Sequence, residues 1–162
     1  MITNNGMVAM SLLFEQNNST GVNGTFTLLD GTTNAPNYGE SYLNANKGAV
    51  TSQSSDGFSM ILGNGVTAPS VNDYNLANVL EEGVDINTIL VCRSATRAIS
   101  ARGKVTFTYI FENTTNTSHV VREIGLILKT HNYPVLFARE VVPERVITAG
   151  ETFTFSFSIN AD

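Results

Sequence analysis

The most regular pattern of hydrophobic and polar positions lies near the C-terminal end of the chain. In Thr152 to Ile159, Phe153, Phe155, Phe157 and Ile159 fall on one side and Thr154, Ser156 and Ser158 on the other, the two-residue period of a strand with one buried face. Lys104 to Phe111 has the same period, with Val105, Phe107, Tyr109 and Phe111 opposite Thr106, Thr108 and Ile110. Val120 to Leu128 and Pro134 to Val142 are apolar runs separated by the turn residues Thr130 to Tyr133, Phe58 to Leu62 is a run ended by Gly63-Asn64-Gly65, and Thr25 to Leu29 is a strand ended by Asp30-Gly31. Helical spacing is confined to two places. Met7, Met10, Leu13 and Phe14 share a face in a short helix predicted to open on Asn4 or Asn5, and Val71 to Leu80 fits one helical turn capped by Asp73. Many strands, turn signals between them and no βαβ alternation predict a mainly β fold: a single antiparallel β-sandwich, jelly-roll or immunoglobulin-like, with one or two short helices. No fixed-period repeat and no Pro/Gly-rich linker interrupts residues 1–162, which read as one domain.

Two stretches carry expectations beyond fold class. Residues 17–55 are rich in Asn, Gly, Ser and Thr and poor in apolar residues, and long loops of this kind tend to be functional or ordered by a neighbour. Thr25, Asp30, Tyr38 and Tyr42 mark this segment as the expected contact with other chains. Thr152 to Ile159 contains no charge, so it is expected to be an interior strand or to be covered by a partner, because an exposed uncharged edge invites aggregation.

Composition sharpens this. A chain of 162 residues buries roughly 70% of its unfolded surface without a metal or disulfide staple. Charged residues make up only 14%, against about 25% in a typical soluble domain. Neutral hydrogen-bonding groups replace them, with 18 Asn and 19 Thr. A net charge of −5 with nine Lys and Arg argues against direct nucleic-acid binding, and a mean hydropathy of +0.03 argues against a membrane protein. Charge is also uneven: residues 1–92 hold one basic and eight acidic residues (net −7), and residues 93–162 hold eight basic and six acidic (net +2). Chance and strand composition account for such a split in one compact domain; the alternative is an acidic face that docks on a more basic one in a head-to-tail assembly.

The residues suited to chemistry are scattered. Cys92, in the run Ile89-Leu90-Val91-Cys92, reads as a buried structural thiol. His119 and His131 lack a ligand at metal-binding spacing and read as exposed loop ends. Gly63-Asn64-Gly65 lacks the helix and Lys-Ser/Thr of a phosphate cradle, Glu81-Glu82 and Asp85 lack the periodicity of a calcium loop, and no nucleophile elbow occurs. Met1 to Phe14 lacks the features of a secretion signal, so the five Asn-x-Ser/Thr sequons, including Asn113 and Asn116, read as products of Asn/Thr-rich loops. No catalytic residue, cofactor or metal is predicted. Two charges do stand inside apolar strands, Glu123 and Arg139. If Thr130 to Asn132 forms a three-residue hairpin loop, they lie directly opposite each other as a structural ion pair.

The order of these segments resembles a group of small virion proteins of tailed bacteriophages. The likeness is carried by Ile2-Thr3-Asn4-Asn5-Gly6 ahead of a short helix and by Leu62-Gly63-Asn64-Gly65-Val66-Thr67-Ala68-Pro69-Ser70 followed by Asp73, Leu76 and Ala77. Downstream it continues in Val121-Arg122-Glu123-Ile124-Gly125-Leu126, in Leu136-Phe137-Ala138-Arg139 and in the closing strand from Gly150 to Phe155. The chain departs from the group's pattern between Asn17 and Ser55. The resemblance implies a non-enzymatic structural protein of the tail, neck, fibre attachment or capsid surface, assembled in the host cytoplasm into the virion, with copies of itself and other virion proteins as partners. A second expectation is a receptor- or carbohydrate-binding β-sandwich of a fibre, with Tyr38, Tyr42 and Tyr74 stacking on sugars.

Overall fold

The computed structural model describes residues 1–7, 26–34, 58–80, 90–99, 104–129 and 134–160. Among these residues eight strands run in chain order: β1 (Phe26–Thr27), β2 (Thr33–Asn34), β3 (Phe58–Gly63), β4 (Leu90–Ile99), β5 (Lys104–Asn113), β6 (His119–Lys129), β7 (Pro134–Ile147) and β8 (Thr152–Asn160). The fold is mainly β and sandwich-like, with antiparallel sheets ordered β3-β6-β7 and β4-β5-β8 packed together; β1 and β2 form a small hairpin.

The alternating strands behave as their pattern dictates. Phe107, Tyr109 and Phe111 of β5 and Phe153 and Phe157 of β8 are buried against Met60 and Leu62 of β3, Val121, Ile124, Leu126 and Leu128 of β6, and Val135 and Phe137 of β7. Rings lock the sheets together, with Phe58 of β3 tilted 4.8 Å from Phe107 and edge-on to Phe137 at 5.4 Å. On the wet face of β5 and β8, hydroxyls pair across the strands, Thr106 with Ser158 and Thr108 with Ser156, each at 3.0 Å.

The sheet β3-β6-β7 is different, because both of its faces are covered. Ile61, Leu76, Ile127 and Leu136 form a second apolar cluster outside the main core. The chain from Asn64 to Leu80 therefore acts as a third layer over this sheet. This explains why β6 is buried continuously from Glu123 to Leu128, and why its sequence reads as an apolar run without alternation. It also corrects the expected helical turn over Val71 to Leu80, which is irregular, its Ala77 and Asn78 amides being given to Glu123 and its Leu80 amide to the Leu62 carbonyl rather than to a helix.

The N-terminal residues clasp this layer. Ile2 bridges Ala138, the Thr3 amide donates to the Phe137 carbonyl at 3.0 Å, and Arg139 N–H donates to Met1 O at 2.9 Å. A helical turn covers residues 4–7, and its cap is Thr3 rather than the expected Asn4 or Asn5: Thr3 Oγ1 accepts from Gly6 N at 3.2 Å. Asn4 and Asn5 reach sideways instead, Asn4 to Asn72 at 2.9 Å and Asn5 to both backbone groups of Thr27 at 2.6 and 2.8 Å.

The β7–β8 turn is held by Glu151, whose carboxylate accepts from Thr148 N at 2.9 Å, Thr148 Oγ1 at 3.1 Å and Arg145 at 3.1 Å. The Thr148 amide, then Arg145 and the Thr148 hydroxyl, hold its pKa below the ordinary glutamate value. A carboxylate with a lowered folded-state pKa contributes stability above its ordinary titration range, and that contribution is lost as pH falls through the lowered value. Glu151→Gln is thus expected to melt below the wild type at pH 7, with the gap closing in acid; a gap independent of pH in thermal melts would contradict this.

Candidate functional site

A longer hairpin connection and one bulge together re-aim the charged residues of β6 and β7. The hairpin pairs Lys129 with Pro134, leaving four residues between them instead of three, and register shifts fall between Leu126 and Ile127 and between Val121 and Glu123. Arg139 therefore pairs with Gly125, and Glu123 with Val141, so the expected direct opposition is wrong. The two charges are diagonal neighbours, a separation that long side chains span. Arg139 Nη2 lies 2.7 Å from Glu123 Oε2, and Nε donates to the same oxygen at 2.9 Å. The side chains are 2% and 0% exposed.

Two further donors of the guanidinium reach the covering layer. Nη1 donates to Asp73 Oδ2 at 2.6 Å and Nη2 to the Thr67 carbonyl at 2.9 Å. Glu123 in turn collects amides from the same layer: Oε1 accepts from Gly65 N at 3.0 Å and Asn78 N at 2.8 Å, and Oε2 from Ala77 N at 3.1 Å. Asp73 Oδ2 accepts from Ser70 N at 2.8 Å. The sequence reading made Asp73 a helix cap; it is the third charge of a buried network. Two carboxylates and one guanidinium leave one formal negative charge, which these amides offset. Burial opposes the charged guanidinium, but hydrogen bonds to Asp73 and Glu123 and the charges of both outweigh it and hold the Arg139 pKa above its ordinary value.

Glycines let the layers approach. A Cβ on Gly65 would run into Glu123 Oε1 and lie 2.7 Å from the Ala77 Cβ, and one on Gly125 would lie 2.9 Å from both Leu76 Cδ2 and Leu136 Cδ1. The segments Gly63 to Asn78, Glu123 to Gly125 and Leu136 to Arg139 thus meet in one assembly. Both Glu123 oxygens are engaged by protein donors, so the group acts as a clamp on the 64–80 loop. The clamped loop exposes Val66 (70% exposed), Val71, Tyr74 and Val79 to solvent.

No family model, curated protein sequence or solved structure matches the chain.

The other sequence-predicted positions do not join this network. Asp30 is exposed at the β1–β2 turn, where the Thr32 hydroxyl and amide, at 2.7 and 2.9 Å, hold its carboxyl below the ordinary range. Tyr74 packs its ring edge 3.3 Å from where a Cβ on Gly31 would stand. Thr25, Tyr38, Tyr42, His131, Glu81, Glu82 and Asp85 lie outside the described residues. Cys92 is half-buried, not buried, with Sγ 3.4 Å from the Ser94 carbonyl beside a bulge. His119 opens β6 half-buried, its Nε2 2.8 Å from Thr115 Oγ1. Among the described residues, no group of three or more His, Cys, Asp or Glu side chains is placed to hold a metal ion, and no helix is long and apolar enough to cross a membrane.

Sequence reasoning missed Asp73, Thr67 and the three amides. One available signal was valence. An arginine carries five donors, and a buried one facing a single carboxylate cannot satisfy them all, so a second acceptor had to come from elsewhere in the chain.

Proposed function

We propose that the chain is a non-enzymatic structural component of a tailed-phage virion: a β-sandwich of jelly-roll or immunoglobulin-like type that assembles as a symmetric homo-oligomer at the tail, neck or fibre attachment, or on the capsid surface. The observation that carries this reading is the convergence of three of the resemblance motifs, Leu62 to Ala77, Val121 to Leu126 and Leu136 to Arg139, on the Glu123–Arg139–Asp73 network. Motifs that touch one another form one signature, which is more specific than any of them alone. The charge-poor composition supports the same reading, since neutral polar surfaces cost less to desolvate at a permanent interface than charged ones. So does the clamped loop, which presents apolar side chains at little ordering cost.

The test is the mass of the purified chain by light scattering, together with a glycan array. The proposal expects a multimer of fixed stoichiometry, without glycan binding, that weakens at high salt if the −7/+2 charge asymmetry steers assembly. A stable monomer with glycan affinity would overturn it in favour of the receptor- or carbohydrate-binding module.

A further inference from the structure

Among the described residues, the charge-free strand is not interior. β8 pairs with β5 alone and is, among the described residues, an edge of its sheet. Which backbone groups it leaves outward follows from the ladder. Asn113 N–H donates to Glu151 O at 2.9 Å, and the β5–β8 register runs without a shift from Lys104↔Asn160 to Glu112↔Thr152. Since backbone groups alternate in direction along an antiparallel strand, those of Phe153, Phe155, Phe157 and Ile159 face β5. Those of Thr152, Thr154, Ser156, Ser158 and Asn160 face outward.

The edge of β7 contrasts with this one. Met1 to Thr3 cover it at Phe137 to Arg139, and beyond them it carries Glu140, Pro143, Glu144 and Arg145, the charges and proline by which natural edges resist pairing. β8 has none of these devices.

We infer that β8 is the strand through which two copies of the chain join, antiparallel about a two-fold axis at Ser156. This rests on the self-assembling reading above and names its interface. The centred register is the one that engages all five outward residues of both copies, setting Ser156 against Ser156 of the other copy, Thr154 against Ser158 and Thr152 against Asn160. Two-fold pairing brings identical strands together, so any charge would meet its like near the axis; an uncharged strand of Thr, Ser and Asn meets no such repulsion. The hydroxyl pairs already formed between β5 and β8 would continue across the junction, giving one six-stranded sheet.

The experiment is sedimentation of the full chain and three variants. Ser156→Lys sets two ammonium groups against each other at the axis. Ser156→Pro removes one outward N–H, which an edge strand tolerates within its own fold. Each should weaken two-fold association at least tenfold, whereas Thr154→Lys/Ser158→Glu, which pairs opposite charges across the axis, should retain it. Wild-type hydrogen exchange covers the case of misfolded variants: the amides of Thr154, Ser156 and Ser158 should be protected at high protein concentration and exchange fast on dilution. Multimers unchanged in Ser156→Lys and Ser156→Pro, or fast exchange of those amides within a multimer, would overturn the β8 interface while leaving homo-oligomerisation intact. A wild-type monomer at all concentrations would overturn both.

Discussion

Arg139→Ala lowers the stability of the fold by about 3–5 kcal/mol, because it leaves two carboxylates without their cation, one of them fully buried. For a chain of this length that corresponds to a fall in Tm of about 6–20 °C. Arg139→Lys does not restore the loss, since one ammonium cannot span Glu123, Asp73 and the Thr67 carbonyl as the planar fork does. The pair is also coupled. In a double-mutant cycle, Glu123→Ala with Arg139→Ala should cost well under the sum of the two single changes, because the second no longer strands a buried charge. Buried ion pairs can often be exchanged for apolar residues at little cost. Here such an exchange would still strand the Gly65, Ala77 and Asn78 amides. Glu123→Leu/Arg139→Met is therefore expected to remain less stable than the wild type in chemical denaturation; equal stability would mean that the clamp on the loop contributes nothing.

Asn113→Ala is the second large loss, about 3 kcal/mol at roughly 1–3 kcal/mol for each buried polar group left unpaired. Asn113 closes β5 fully buried, and its side chain joins two turns. Its Nδ2 donates to the Thr117, Ile147 and Thr148 carbonyls at 2.8, 3.2 and 3.1 Å, and its Oδ1 accepts from the amide and hydroxyl of Thr115 at 3.0 and 2.7 Å. Asn113→Asp keeps the acceptor half of this set but turns a carboxylate oxygen toward carbonyls, so it should be destabilised too. Thermal melts check both; a variant within 1 °C of the wild type would refute the role of Asn113 as a hub.

The strands legible in the sequence were those with one wet face. β5 and β8 alternate because water selects every second residue, and Phe107, Phe111, Phe153 and Phe157 are buried as that period requires. β6 and β7 were visible as apolar runs, but their register was not. With both faces covered, the pattern stops specifying which residue faces which layer, and the bulges at Leu126/Ile127 and Val121/Glu123 leave no compositional mark beyond Pro143. β4 (Leu90–Ile99) was not read as a strand, because Arg93, Ser94, Thr96 and Arg97 break its apolar run. The candidate site was legible only as two misplaced charges. That Glu123 and Arg139 needed partners followed from burial. That Asp73 and the 64–80 amides would supply them depended on a loop folding across a sheet, which is a tertiary fact with no local signature.

The motifs from Gly63 to Ala77, Glu123 to Leu126 and Phe137 to Arg139 form one clamp that holds the 64–80 loop on the sheet. Amide hydrogen exchange tests it most directly, at the three N–H groups given to Glu123: Gly65, Ala77 and Asn78. They should exchange slowly, opening only with the sheet beneath them. In Glu123→Gln, where each bond to charge becomes a neutral one or is lost, they should exchange roughly ten- to a hundredfold faster. Free exchange of these amides in the wild type, or rates unchanged in Glu123→Gln, would contradict the clamp.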